Sequence, residues 1–385
     1  MATRRATGTP DEHRRHRLVT SAACGWAFAG LLLLACSSSG SGSDAVGDAD
    51  GTPPADVSAD GVAPDLPSAD VIEAADAASD PGASDTPDAT DSAGGDATAQ
   101  IGTFTVSLYA PEAATETREA KAGYTWIVGK VSDGPTPQLI AWDPHETEGD
   151  CTLSKPRAPY CESCPGTEVC VDEGVCMAYP TAEDVGMVTV TGVHPSTGEA
   201  SFTMEALAGN YQPMGYELPF PAFDEGEAIT FAAAGSAFAP AFTLEARGIA
   251  PLVLTSTAFV LTDGQPLSVQ WTAAGAAATS TVHLRLEIAH HGGYKGRVDC
   301  DVPDTGTFQI PASLVDHLKA LGVAGFPTLV VTRSDVDSAT LDAGIVKLVI
   351  SSEISVGVEI PGLVSCNEDA DCPDGQTCQD NLTCK

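Results

Sequence analysis

The stretch Val282-His283-Leu284-Arg285-Leu286-Glu287-Ile288 decides the fold class, because apolar and charged side chains alternate along it without a break. A period of two places successive side chains on opposite faces of a β-strand. One face can then enter a core while the charged face meets water, as in antiparallel sheets. The stretch therefore predicts an antiparallel strand that is buried on one side.

The same alternation recurs between residues 101 and 362. Its apolar positions are Phe104, Val106 and Leu108; Phe202, Met204 and Ala206; Phe242, Leu244 and Ala246; Leu267, Val269 and Trp271; and Ile354, Val356, Val358 and Ile360. Turn residues such as Asp263-Gly264 separate these runs. Repeated strands with almost no helix predict an all-β fold of antiparallel sandwiches, as one large or two smaller immunoglobulin-like domains.

One helix is predicted near residue 314, where Leu314, Val315 and Leu318 fall on one face. Ser313 and Asp316 form a candidate capping pair, and a glycine ends the pattern. The predicted β-domains cover residues 101–250, with a cysteine-rich insert at 151–176, and residues 251–362. A cysteine-rich tail module follows at 363–385.

The N-terminus carries an export signal over residues 1–35. Arg4, Arg5 and Arg14 belong to its positive front, and a mostly apolar run follows from Leu18 to Ala35. The run is interrupted by polar residues and is shorter than the about 20 apolar residues that span a bilayer. Its end, Leu33-Leu34-Ala35-Cys36, resembles the lipobox of bacterial lipoproteins. The resemblance implies that Cys36 is lipidated, with acyl chains such as palmitate holding the protein to a membrane.

Residues 36–100 are rich in Asp, Ala, Ser, Gly, Thr and Pro, and such a segment cannot bury enough apolar surface to fold. We predict a disordered acidic tether. Asp48-Ala49-Asp50-Gly51 lacks the further ligands of a calcium-binding loop. The formal charge of −35 argues against a nucleic-acid partner, whose phosphates would be repelled.

Ten cysteines remain beyond Cys24 and Cys36, an even number that predicts disulfides in an oxidising compartment. They are Cys151, Cys161, Cys164, Cys170, Cys176, Cys300, Cys366, Cys372, Cys378 and Cys384. The spacing of Cys164, Cys170 and Cys176 repeats in Cys372, Cys378 and Cys384. Small segments with few apolar residues depend on such crosslinks.

Each four-cysteine group allows three pairings. We predict that the first cysteine joins the third and the second joins the fourth, and that Cys151 joins Cys300. Zinc is the alternative, since Cys161 and Cys164 have ligand spacing. The tail group lacks such a close pair, so disulfides explain both copies better, and no metal is predicted.

The lipobox, the acidic tether and the Cys-Pro segments, together with Val298-Asp299-Cys300-Asp301-Val302-Pro303-Asp304-Thr305-Gly306, resemble uncharacterised cysteine-rich lipoproteins of myxobacteria and their relatives. The tail from Asp369 to Cys378 is similar to cysteine-rich repeats on their exported proteins. The resemblance implies an exported, anchored β-protein and carries no activity to this chain.

Motifs for catalysis are incomplete. Asp304-Thr305-Gly306 spells the aspartic-protease triplet but occurs once, whereas such enzymes need two carboxylates sharing a proton. His145-Glu146 begins like a zinc-protease motif, yet Gly149 stands where the second histidine is required. We therefore predict a turn at the triplet, no catalytic residue and no cofactor.

Two further groups could hold a metal. His290 and His291 are adjacent, and neighbours in a strand point to opposite faces. Asp299, Asp301 and Asp304 could together bind calcium, although a solvated acidic edge is the simpler interpretation.

The leading hypothesis is an envelope-anchored lipoprotein in the outer membrane, facing the periplasm or the cell surface. Its role would be non-enzymatic binding of a protein or glycan, adhesion or envelope structure, and an exposed aromatic patch would support it. The alternative is a hydrolase of an envelope or extracellular polymer, with two carboxylates about 5–10 Å apart in one pocket.

Overall fold

Alternating residues form strands throughout the part of the chain that the computed structural model describes, which is residues 99–385 except 116–117, 276–277, 292 and the His290 side chain. The predicted signal peptide, the Cys36 lipidation site, the acidic tether and Asp48-Ala49-Asp50-Gly51 lie outside these residues. The all-β class predicted from the sequence is confirmed.

Eighteen strands and one α-helix make up the described chain. The strands in chain order are β1 (Gln100–Tyr109), β2 (Tyr124–Val131), β3 (Ala141–Glu148), β4 (Cys151–Arg157), β5 (Val169–Asp172), β6 (Val175–Met177), β7 (Val188–Thr191), β8 (Ser201–Met204), β9 (Ala206–Leu207), β10 (Asn210–Tyr211), β11 (Ala228–Ala233), β12 (Phe242–Arg247), β13 (Leu267–Gln270), β14 (Thr281–His290), β15 (Arg297–Pro303), β16 (Thr307–Ile310), β17 (Phe326–Leu341) and β18 (Gly344–Gly357). The helix α1 spans Ala312–Ala320, and a 3-10 turn covers Asp369–Asp371.

The strands form one large sheet and three smaller ones. The large sheet has ten strands in the order β3-β4-β15-β14-β17-β18-β1-β2-β10-β9, and the second has the order β12-β11-β7-β8. β13 pairs with β16, and β5 pairs with β6. Neighbouring strands run antiparallel except β1 and β18, which are parallel.

The first hydrophobic core lies between the four-stranded sheet and the β18-β1-β2 part of the large sheet. The Phe104 ring packs against Tyr211 and Phe231, with ring centroids 5.5 and 5.6 Å apart. Gly129 on β2 makes room for this ring, because a Cβ there would come within 2.2 Å of it. Only glycine fits at that position.

The second core lies beneath the β15-β14-β17 part of the large sheet. Leu284 and Leu286, the apolar half of the alternating stretch, are fully buried in it together with Trp271. The β13-β16 pair and α1 contribute its other side chains. The two cores thus give two packed sandwiches, each with its own apolar interior.

The long β17-β18 hairpin belongs to both sandwiches. Leu341 and Leu348 near its tip are buried in the first core, whereas Leu329 and Val331 at its base are buried in the second. The β3-β4 hairpin makes the reverse connection: it belongs to the first half of the sequence, but its strand β4 pairs with β15 of the second sandwich. Strands from both sides of residue 250 therefore share one sheet, and the domain boundaries stay a prediction.

The helix forms where it was predicted, but its start differs. The N-cap is Pro311, and no side chain caps the helix. The predicted Ser313–Asp316 capping pair is therefore wrong, because Ser313 already lies inside the helix, where its hydroxyl donates to Glu148. Gly322 adopts a φ of +96° just beyond the end, as a helix-stop glycine does.

Candidate ligand-binding cleft

The outward face of the β14-β15 pair carries a network of charges. His283 Nδ1 lies 2.9 Å from Asp301 Oδ1, and its Nε2 lies 3.2 Å from Asp299 Oδ1. Arg285 Nε donates to the same Asp299 oxygen at 3.1 Å. The alternation that buries Leu284 directs His283 and Arg285 to this opposite face.

Burial opposes the charged form of His283, but the hydrogen bonds to Asp299 and Asp301 outweigh it and raise the pKa of the imidazole. Burial also opposes the charged form of Asp299. Its bond to His283 and the nearby Arg297 and Arg285 charges prevail and lower the pKa of this carboxyl. The network therefore favours a charged histidine between two carboxylates.

A cleft lined by aromatic side chains, called the Trp142 cleft below, adjoins this network. The Arg297 guanidinium lies 4.2 Å from the centre of the Trp142 ring, a cation–π distance. Tyr294 meets the same ring edge-on, with centroids 5.8 Å apart, and is 66% exposed. The cleft has a volume of about 340 Å³ and is lined by Trp142, Glu287, Ala289, His291, Gly293, Tyr294, Lys295 and Gly296.

The Arg297 guanidinium is only partly neutralised. Its Nε lies 2.7 Å from Asp299 Oδ2, without the alignment of a hydrogen bond. Within the described residues, Asp299 is the carboxylate with which Arg297 forms an ion pair. Burial lowers the pKa of Arg297, and the Asp299 charge opposes that effect. A positive group next to two aromatic rings suits an amphipathic ligand.

Strand register explains why Trp142 covers Arg297. Trp142 lies opposite Pro156, and Arg297 lies opposite Ser154 two residues earlier on β4. Residues two apart share a face of a strand, so the indole and the guanidinium are on the same side. The Cys151–Cys300 disulfide holds β4 on β15, where the two cysteines are direct partners with Cα atoms 4.1 Å apart.

The other four disulfides form the two cysteine modules. Cys161 joins Cys170 and Cys164 joins Cys176, and the tail joins Cys366 to Cys378 and Cys372 to Cys384. Both modules have the first-to-third and second-to-fourth connectivity that was predicted among the three possible pairings. The sulfurs of Cys161, Cys164 and Cys176 lie close enough to share an ion, as do those of Cys366, Cys372 and Cys384. All six sulfurs are in disulfides: Cys164 is bonded to Cys176 and Cys372 to Cys384, whereas Cys161 and Cys366 are bonded to Cys170 and Cys378.

The Asp304-Thr305-Gly306 triplet is a structural turn. Both Asp304 oxygens bind the Arg333 guanidinium, and Trp271 Nε1 donates to Oδ1 at 2.7 Å. Burial opposes ionisation of Asp304, but its bonds to Arg333, Trp271 and Ser280 prevail and lower the pKa of the carboxyl. Asp304 is thus held apart from Asp299 and Asp301, which bind His283, so the three do not form the calcium site considered from the sequence.

The remaining sequence candidates do not converge. His145 lies 2.9 Å from the Lys155 amine, and Glu146 lies 2.5 Å from His317, so the two neighbours have different partners. His291 lines the Trp142 cleft and meets the Phe326 ring, while the side chain of His290 lies outside the described atoms. The cleft itself was missed, because Trp142 is far along the chain from Tyr294 and Arg297, and the three residues form no motif.

No protein-family model and no curated protein matches this sequence. Among solved structures, the chain is similar to the crystal structure of the chicken CNTN1 FN1–FN3 domains, with 8% sequence identity and a TM-score of 0.16. The match covers 60% of this chain and 71% of that one. Within residues 99–385, no helix is long and apolar enough to cross a membrane.

Proposed function

We propose that this chain is a lipid-anchored envelope protein that binds a ligand in the Trp142 cleft without transforming it. The observation that carries the binding role is the exposed Tyr294 ring beside the Trp142–Arg297 pair. Aromatic and arginine side chains are enriched at binding surfaces because each combines apolar area with directed polar contacts. The ligand would be a protein or glycan of the envelope.

The hydrolase alternative receives little support from the pocket geometry. A glycoside hydrolase needs two carboxylates about 5–10 Å apart around its substrate. The lining of the Trp142 cleft includes one carboxylate, Glu287. A second pocket, beside β18, also includes one, Glu359. A non-enzymatic role therefore remains the better proposal.

Anchoring rests on the lipobox and belongs to the same proposal. Growth with labelled palmitate should label the wild-type protein in the outer-membrane fraction, whereas Cys36→Ala should lose the label and enter the soluble fraction. A wild-type protein without label would contradict the anchor and leave the cleft untested by that experiment.

The cleft is tested with the purified, immobilised protein and detergent-solubilised envelope extract. We expect Trp142→Ala to reduce capture of a specific extract component at least about tenfold, because it removes the ring that Arg297 and Tyr294 contact. Tyr179→Ala is the control, since Tyr179 is 54% exposed but does not line the cleft. Equal capture by wild type and Trp142→Ala would overturn the proposal.

A further inference from the structure

The edge of β18 is occupied at both ends and open in the middle. β1 pairs with β18 as far as Leu108 and Ser352. At the other end, Glu359 forms a parallel bridge with Val260. Residues 353–357 lie between these two partners, a length of roughly 16 Å at about 3.3 Å per residue.

The backbone direction of this open stretch follows from the strand's regular alternation. Glu359 N donates to Phe259 O on the outer side, whereas Val358 N donates to Pro327 O on the β17 side. The register with β17 is unbroken from Gly344 to Gly357, so peptide groups alternate sides along the whole strand. Ser355 and Gly357 therefore direct their N–H and C=O groups to the open edge.

These outward groups are unused by the protein. In the described part of the chain, no backbone hydrogen bond outside the β17 pairing involves Ser355 or Gly357. Ser355 and Gly357 are both exposed, and a Cβ added to Gly357 would meet no atom within 4 Å, so solvent reaches this part of β18. Two donors and two acceptors in a strand conformation are what an added strand requires.

An apolar groove runs along the same stretch. It has a volume of about 600 Å³ and is lined by Ala110, Leu252, Val253, Leu254, Ser256, Thr257, Ala258, Phe259, Ile354, Val356, Gly357 and Glu359. Val253 and Val260 beside it are 52% and 41% exposed. An added strand would thus find main-chain partners on one side and apolar contacts for alternate side chains on the other.

The charges around the opening select the occupant. Glu353 and Glu359, both exposed, stand at its two ends. The chain carries a formal charge of −35, which disfavours a second copy of the same chain. We propose that the open edge of β18 is a strand-docking site for an extended partner segment with apolar residues in alternation and basic residues at its ends.

Another edge of the same protein shows what closure looks like. The N–H groups of Glu245 and Arg247 on β12 donate to the carboxylates of Asp337 and Asp335, at 2.7 and 2.8 Å. Those side chains occupy the positions that an incoming strand would need. The β18 opening has no such cover among the described residues, which is the contrast that motivates the proposal.

The probe is a fluorescent seven-residue peptide of alternating valine and threonine with arginine at both ends, added to the full chain. Ser355→Pro removes one outward N–H without breaking a bond to β17, and should weaken binding about tenfold, as loss of a hydrogen bond and its strand geometry predicts. Ser355→Thr keeps the N–H and should bind like wild type. A glutamate-ended peptide should bind more weakly than the arginine-ended one.

The outcome stays decisive if Ser355→Pro fails to fold. The same peptide, N-methylated at every residue so that neither of its edges can donate to a strand, is then tested on the wild-type protein and should lose binding. Unchanged binding of the methylated peptide, or no saturable binding of the parent peptide, would overturn the proposal. Trp142→Ala should bind the peptide normally, so this site and the Trp142 cleft succeed or fail separately.

Discussion

The two sandwiches are stabilised by different means, although one hairpin is common to both. The first core is packed from apolar side chains around the rings of Phe104, Tyr211 and Phe231. The second core contains the Cys151–Cys300 disulfide and borders the buried Arg333–Asp304 pair. The second also carries the Trp142 cleft on its outer face. The covalent crosslink and the buried ion pair are thus found in the sandwich that carries the proposed binding cleft.

Loss of the buried Arg333–Asp304 pair should have the largest effect on stability of the changes proposed for the second sandwich. Asp304→Ala should lower the free energy of unfolding by about 3–5 kcal/mol, because Arg333 would remain as an uncompensated buried charge. The Arg333 side chain is 1% exposed and also donates to the carbonyls of Ala250, Pro251 and Thr272, so it cannot move into water. Urea unfolding measures the loss.

Asp172→Ala is the matched control. Asp172 also pairs with an arginine, Arg157, but their side chains are 58% and 42% exposed. Solvent screens such an exposed pair, so its loss should destabilise the protein far less than loss of the Arg333–Asp304 pair. Losses of similar size in the two variants would mean that burial of the Arg333–Asp304 pair does not govern stability.

Removing the disulfide between Cys151 and Cys300 tests how much the second sandwich depends on a covalent crosslink. It closes a loop with a sequence separation of 149, and replacing both cysteines with serine should cost about 2–4 kcal/mol. Hydrogen exchange should speed up in β4 and β15 before it does so in β1 and β2. Because β4 positions Trp142, cleft binding should weaken as well.

The insert disulfide Cys161–Cys170 provides the comparison for that variant. It spans a sequence separation of 9 and lies in a largely exposed module. Its removal should leave exchange in β15 unchanged. Faster exchange throughout both cores after this substitution would refute the assignment of a local role to the insert.

Local patterns were sufficient to predict the strands that alternate regularly, such as β1, β12 and β14, and which of their faces are buried. Alternation over Val282–Ile288 gave both the strand β14 and the burial of Leu284 and Leu286. The spacing repeat favoured disulfides over zinc in both cysteine groups, but three pairings stayed open in each. Local patterns could not predict that each sandwich takes a hairpin from the other half of the sequence. The pairing of β18 with β1, for example, joins residues about 245 apart, such as Ser107 and Ser351.

The binding surfaces were less predictable for the same reason. The Trp142 cleft depends on the register of β3, β4 and β15. Tyr294 and Arg297 are close in sequence, but Trp142 is far from both, so no short stretch contains all three side chains. Asp304 was predicted to be a turn residue because the Asp-Thr-Gly triplet occurs only once in the sequence, and the structure places it in a turn. Its ion pair with Arg333 joins the turn after β15 to β17, and nothing in the surrounding sequence indicates it.

The smallest expected effect comes from His283 and has a pH signature. Because the folded pKa of His283 is raised above its ordinary value of 6.5, its bonds to Asp299 and Asp301 stabilise the protein fully below pH 6.5. That stabilisation is lost as the pH rises through the folded pKa. Asp299 acts oppositely: its lowered pKa stabilises the fold above 3.8 and the effect fades in stronger acid.

Together the two groups place the largest contribution of this network in mildly acidic solution. Thr332 and Glu353 on the neighbouring strands, with Arg285 beside it, complete the surroundings of His283. Urea unfolding should show stability falling from pH 5.5 to pH 8, and His283→Gln should flatten that slope. His194→Gln should not, since His194 is 52% exposed and bonds a single glutamate. If stability falls equally steeply with pH in His283→Gln, the network of His283, Asp299 and Asp301 contributes to the pH dependence no more than exposed groups do.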